Sequence, residues 1–188
     1  MPVVRLTLFG PFEARCGPGA VVLPRKAPAL LAYQCLAAAP APSRSTLAVL
    51  FGGDANGQEG RNNLRQVLFR LRRALGHASR CIVLDDDTVR LAPGAVETDV
   101  ARFHAFAADG SDAALRQAGE LYRGELLEGL DVGLEAFEDW LRAERERCRD
   151  VAIDVLSKLA RREHTRGASE AAIAAAHRLL TGASVGSS

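Results

Sequence analysis

Asn62, Gln66, Phe69 and Arg73 follow one another at spacings of three and four residues, with Arg65 and Arg70 between them. On a helix that spacing gathers them on one side. Their types suit a particular chemistry. Asn and Gln bond bidentately to adenine, and Arg bonds to guanine O6 and N7 in the major groove. An aromatic ring such as Phe69 can lie against a thymine methyl or a sugar edge. From Arg61 to Gly76 there is no carboxylate to repel a phosphate backbone. The residues on offer are those that read DNA.

The other side of the same helix is apolar. With Leu64 at zero and about 100° per residue, Leu64, Val67, Leu68, Leu71 and Leu75 form one stripe that must face a core. Asn62, Gln66, Phe69 and Arg73 point away from it, and Arg65 and Arg70 flank them. Arg61 and Arg72 lie nearer the core side and are expected to pack or pair locally, with Arg61 also a candidate for the DNA backbone. A solvated helix face with Phe69 covered elsewhere would show a similar pattern, so the setting decides.

Val4, Leu6 and Leu8 alternate with Arg5, Thr7 and Phe9 as in a half-buried strand. Short strands over Phe12–Arg15 and Ala20–Leu23 complete a small antiparallel sheet, separated by Gly and Pro turns. Pro24 and Pro28 then flank the entry of a helix over Lys26–Ala38, ended by Pro40 and Pro42. Ser43 is the expected N-cap of a second, short helix. Asn56 and Glu59 resemble a capping box that opens the third, and Gly76 suits its end. Cys81–Leu84 and Thr88–Leu91, joined by Asp85-Asp86-Asp87, make a hairpin. Sheet, three helices and hairpin describe a winged helix-turn-helix with an added N-terminal sheet. In that setting Ser43, Arg44 and Ser45 present hydroxyls and amides for a phosphate, and Arg80 and Arg90 flank the hairpin near an adjacent backbone.

Pro93-Gly94 marks a boundary, giving domains over residues 1–94 and 95–180 and a disordered tail over 181–188. The second domain reads as all-α and tetratricopeptide-like, with helices over Asp99–Ala108, Ser111–Tyr122, Leu134–Arg162 and Ser169–Leu180. In it, Tyr122 to Leu127 should be a packed corner, and Phe137, Trp140 and Leu141 core. Glu144-Arg145-Glu146-Arg147 reads as a solvated face of alternating charge.

The net charge of +1 hides a split: residues 1–95 carry +6 and residues 96–188 carry −5. A basic half suits a polyanion and an acidic half another partner. Nothing resembles a signal peptide or a membrane span, so the cytoplasm, with nucleoid association, is the expected location. The four cysteines are far apart, which suggests reduced thiols rather than disulfides or zinc. Ile82 to Asp86 looks like a Walker B strand, but no phosphate-binding loop accompanies it. The histidines show no metal-ligand spacing. No enzyme activity, metal or cofactor is expected.

Several motifs in order resemble the Streptomyces antibiotic regulatory protein (SARP) family. They are Leu6-Thr7-Leu8-Phe9-Gly10-Pro11-Phe12, the run from Leu23 to Tyr33, Asn63-Leu64-Arg65-Gln66 and Leu71-Arg72-Arg73-Ala74-Leu75-Gly76. Thr98 to Phe103, Leu121 to Leu127 and Trp140 to Arg145 resemble its bacterial transcriptional activation domain. The resemblance implies an OmpR-type winged helix that binds direct repeats in double-stranded DNA near a −35 region. It further implies head-to-tail pairing on DNA and contact with RNA polymerase and its sigma factor, usually to switch on a secondary-metabolite (antibiotic) cluster. The family's activation domain normally continues for several helices past the point where this chain stops. The alternative is a protein-interaction scaffold without sequence-specific DNA binding.

Overall fold

A computed structural model describes residues 3–37, 41–52 and 57–165. The chain divides into two compact units that interleave along the sequence. Unit 1 takes residues up to Thr7, then Phe12–Thr98 and Gly129–Leu141; unit 2 takes Leu8–Pro11, Asp99–Glu128 and the chain from Arg142 on. Pro93-Gly94 falls inside unit 1. The expected helix over Ser169–Leu180 and the tail over 181–188 lie outside the described residues, as do Pro40 and Asn56.

Unit 1 opens with a sheet of β1 (Val4–Thr7), β2 (Glu13–Cys16), β3 (Gly19–Ala20) and β6 (Val96–Thr98), in the order β3-β2-β1-β6. β1–β2 and β2–β3 are antiparallel as expected, but β6 joins β1 in parallel, so the sheet is mixed. A three-residue strand has too little pattern to announce itself, and its parallel partner is remote in sequence. The third strand is shorter than expected and leaves Val22 at 90% exposure.

Three helices follow, α1 (Ala27–Leu36), α2 (Arg44–Phe51) and α3 (Gln58–Leu75), then a 3-10 turn over Gly76–Cys81 and the hairpin of β4 (Ile82–Leu84) and β5 (Val89–Leu91). α1 is buried at every position from Ala27 to Ala32, which its continuous apolar run requires. α3 buries Leu64, Leu68, Leu71 and Leu75, the stripe read from the sequence, while Val67 is half-buried. Its cap is Gly57, with no side-chain hydrogen bond; the expected capping box rests on Asn56, which lies outside the described residues. Gly76 ends it at φ +53°, a conformation that suits glycine. α2 and α3 meet at Gly52 and Gly60. A Cβ at Gly52 would lie 2.7 Å from the Gly60 Cα. An aromatic cluster closes the core: Tyr33 of α1 meets Phe51 of α2 and Trp140 edge-on, with ring centroids 5.9 and 4.8 Å away, and Phe51 lies 5.5 Å from Phe137.

Unit 2 holds α4 (Asp99–Asp109), α5 (Asp112–Leu121) and the larger part of α6 (Glu135–Thr165). Ser111 caps α5 by accepting from the Ala114 N–H. Phe9 breaks the strand alternation: it is buried, bridges to Leu126, and packs edge-on against Phe103 and Tyr122 at 5.1 and 5.0 Å. The Asp99 carboxylate accepts from the N–H groups of Leu8, Phe9 and Val100. Burial outweighs those bonds and pushes its pKa above the usual carboxylate value. Burial also pushes the Cys35 thiol of unit 1 and the Cys148 thiol of unit 2 up to about 12, so both stay protonated at neutral pH.

The corner over Tyr122–Leu127 is packed as expected, with Leu126 and Leu127 buried, and α5 ends at Leu121, one residue before the expected Tyr122. The solvated-face reading of Glu144 to Arg147 needs a correction. Arg145 is half-buried: its Nε donates to the Leu126 carbonyl and its Nη2 to that of Leu127, each at 2.9 Å, and Glu125 pairs with it at 3.3 Å. Leu127 holds an unusual φ of +52° within this clamp. Alternating charge looks the same in sequence whether or not a corner folds over one of its arginines.

Two stability predictions follow from these contacts. Gly52→Ala forces α2 from α3 and is expected to cost about 1–3 kcal/mol in urea denaturation; an unchanged midpoint would refute the close approach. Arg145→Ala strands two buried carbonyls and is expected to cost about 1–3 kcal/mol. Arg145→Lys recovers little, because an ammonium lacks the guanidinium fork. Arg147→Ala, on an exposed side chain, should stay within about 0.5 kcal/mol.

Candidate nucleic-acid interface

Burial of the leucine stripe sets the outward side of α3. Asn62, Arg65, Gln66, Phe69, Arg70 and Arg73 are all exposed, and Phe69 reaches 66% exposure, among the most exposed of the large apolar side chains. Asn63, which the sequence reading left without a role, donates from Nδ2 to the Gly52 carbonyl at 2.8 Å. That carbonyl sits at the end of α2, where helix geometry leaves acceptors unpaired. Asn63 therefore sets how α3 leaves α2.

Beside α3 runs a groove of about 570 Å³, walled by α2, α3, the 3-10 turn and β4. Arg44, Arg61, Arg65, Arg72 and Arg73 line it with guanidinium groups. Leu64, Leu68, Phe69 and Leu84 supply an apolar surface, and Ser79 completes the wall. Of the six groove-reading candidates, the concavity brings together Arg65, Phe69 and Arg73; Asn62, Gln66 and Arg70 are not part of its lining. The reason is angular. The groove occupies the flank of the helix nearest the hairpin, between the leucine stripe and the outermost side.

Arg61 and Arg72, expected to pack or pair locally, stand on that flank. Both are exposed and line the groove. Local pairing holds for Arg61, whose Nη2 donates to Gln58 Oε1 at 2.9 Å. Arg65 donates to Asn62 Oδ1 at 3.3 Å. These partners are neutral amides, and among the described residues neither guanidinium forms an ion pair.

The residues assigned to the phosphate backbone divide. Ser43 is the N-cap of α2, as expected: its Oγ accepts from the Thr46 N–H at 3.0 Å and bonds to the Ser45 and Thr46 hydroxyls. The Arg44 N–H donates to the Asp87 carbonyl at 2.8 Å. Much of the polar capacity at this helix start is thus engaged inside the protein. Arg44 Nε bonds to the Asp85 carbonyl at 3.0 Å, which holds its guanidinium between α2 and the hairpin. Arg90 forms an ion pair with Asp85 at 2.9 Å, and that guanidinium holds the Asp85 carboxyl below the usual carboxylate range. Arg90 is therefore half-neutralised by its own hairpin, while Arg80 stands exposed in the 3-10 turn. The hairpin tip carries Asp85, Asp86 and Asp87, all exposed, so basic contacts there must come from its flanks.

Among the described residues no group of three His, Cys, Asp or Glu is placed to hold a metal ion. No helix among them is long and apolar enough to cross a membrane.

Residues 95–183 match the family model of the bacterial transcriptional activator domain, just under half of the chain. No curated protein matches in sequence. The solved structure of Mycobacterium tuberculosis EmbR in complex with a low-affinity phosphopeptide is similar at a TM-score of 0.62, with 19% identity over 97% of this chain. The match covers 55% of that chain, so the present one spans about half of EmbR's length, and at this identity the likeness is one of fold. The domain match therefore speaks for residues 95–183, and the likeness to EmbR for a shared fold.

Proposed function

We propose that the chain is a sequence-specific DNA-binding transcriptional activator, with unit 1 as an OmpR-type winged helix-turn-helix. In this reading α3 enters the major groove, the β4–β5 hairpin is the wing, and α4 to α6 begin a tetratricopeptide-like activation layer. The observation that carries it is the outward face of α3. It is rich in arginine and amide, free of carboxylate from Arg61 onward, and presents an exposed Phe69 that no plain solvated face needs.

Asn62, Gln66, Phe69 and Arg73 read base edges, with Arg65 and Arg70 beside them. Arg44, Arg61, Arg72 and Arg80 hold phosphates, Ser43 and Ser45 act chiefly by shaping the start of α2, and Arg90 contributes less because Asp85 engages it. The targets are direct repeats near a −35 region, bound by head-to-tail copies. The activator domain recruits RNA polymerase through its sigma factor, and the regulated genes are those of a secondary-metabolite cluster.

Electrophoretic retardation of promoter fragments near the chain's own gene tests the reading. With about five phosphate contacts, the logarithm of affinity should fall against that of salt with a slope of about −4 to −5. Gln66→Ala/Arg73→Ala is expected to cost about 1–3 kcal/mol per lost base contact and to erase sequence preference. Arg80→Ala should weaken all sequences alike and flatten the slope by about 1. Intact preference in the double variant would sink the assignment of α3. No retardation at low salt would leave a protein-interaction scaffold as the better account.

A further inference from the structure

DNA reading leaves one part of unit 1 unexplained. A helix that enters a major groove presents a convex face, and phosphates need only exposed cations and amides. Neither requires an apolar hollow beside the helix. The groove of about 570 Å³ has such a hollow, with Leu64 and Leu68 almost fully buried along it and the Phe69 ring left open. Its volume falls in the range of about 300–1,000 Å³ common for small-molecule sites, too small for a duplex.

We propose that this groove binds a small organic acid with a flat, ring-bearing body, and that its occupation and DNA binding exclude each other. The charge pattern selects an anion. Among the described residues none of the five groove arginines forms an ion pair with a carboxylate. Arg44, Arg61 and Arg65 donate instead to neutral oxygens of Asp85, Gln58 and Asn62. An acidic group placed between guanidinium forks gains bidentate, charge-assisted bonds. The shape of the lining selects the body: Phe69 offers a ring face for stacking, while Leu68 and Leu84 suit a flat apolar edge. The exclusion clause rests on the DNA reading, because Arg65, Phe69 and Arg73 belong to both surfaces; the ligand site itself does not.

The test uses the full chain and 8-anilinonaphthalene-1-sulfonate, a fluorescent ring-bodied anion, beside its uncharged counterpart N-phenyl-1-naphthylamine. The sulfonate is expected to titrate as one saturable site and to bind at least about tenfold more tightly than the neutral dye, a difference of about 1.4 kcal/mol. Arg61→Ala/Arg72→Ala should weaken it by a similar factor with an unchanged melting temperature, Phe69→Ala should also weaken it, and Arg70→Ala should not. Equal binding of the two dyes, or wild-type affinity in the Arg61/Arg72 variant, would mean diffuse apolar adsorption and overturn the site. 2-Naphthoate should displace the dye at lower concentration than dodecanoate; the reverse order overturns the ring-bodied class. In a retardation assay the sulfonate should release bound promoter DNA, and simultaneous binding of both overturns the exclusion. If DNA never binds but the dye results hold, the DNA reading alone fails and the ligand site stands.

Discussion

Burial of Leu64, Leu68, Leu71 and Leu75 is the interaction on which the rest of unit 1 depends. A fully buried leucine contributes roughly 1.5–3 kcal/mol, so the stripe cannot be rotated into solvent without a loss comparable to the stability of a small domain. A helix is rigid about its axis at this scale. Committing one side therefore aims every other side chain of α3, including the Phe69 ring and the guanidinium groups. Gly52 and Gly60 add to this by letting α2 and α3 approach backbone to backbone, and Asn63 ties the two together.

With the helix so oriented, its electrostatics follow from what is absent nearby. Among the described residues Arg44, Arg61 and Arg65 bond to amide and carbonyl oxygens, which steer their geometry, and Arg44 also adds to the field that favours the charged form of Asp85. Where a carboxylate does meet an arginine, at Asp85 and Arg90 of the hairpin, the pair is exposed and is worth little to stability. Its effect is to remove one cation from the surface. Five arginines thus gather on the flank of α3 that faces the hairpin.

Unit 2 is held by a different device, side chains that complete backbone hydrogen bonding where strands and helices end. Asp99 accepts from the N–H groups of Leu8 and Phe9, and Arg145 donates to the carbonyls of Leu126 and Leu127. Buried peptide groups without such partners would be costly. The stretch that matches the activator-domain model includes Asp99, this corner and Arg145.

Much of the fold was legible in the residues because its signals are local. The leucine period of α3, the Ser43 cap, the Gly76 terminus and the hairpin strands each depend on neighbours within a few positions. The outward placement of Asn62, Arg65, Gln66, Phe69, Arg70 and Arg73 was likewise settled by periodicity once the leucines were assigned to a core. Contacts between residues far apart in sequence were not legible. The parallel pairing of β6 with β1, the return of Phe137 and Trp140 to the aromatic cluster of unit 1, and the clamp of Arg145 on the corner all arise from chain crossings that leave no periodic trace. The groove belongs with these. A helical wheel places Arg61 and Arg72 beside the stripe, but only the position of the hairpin turns that flank into a concavity.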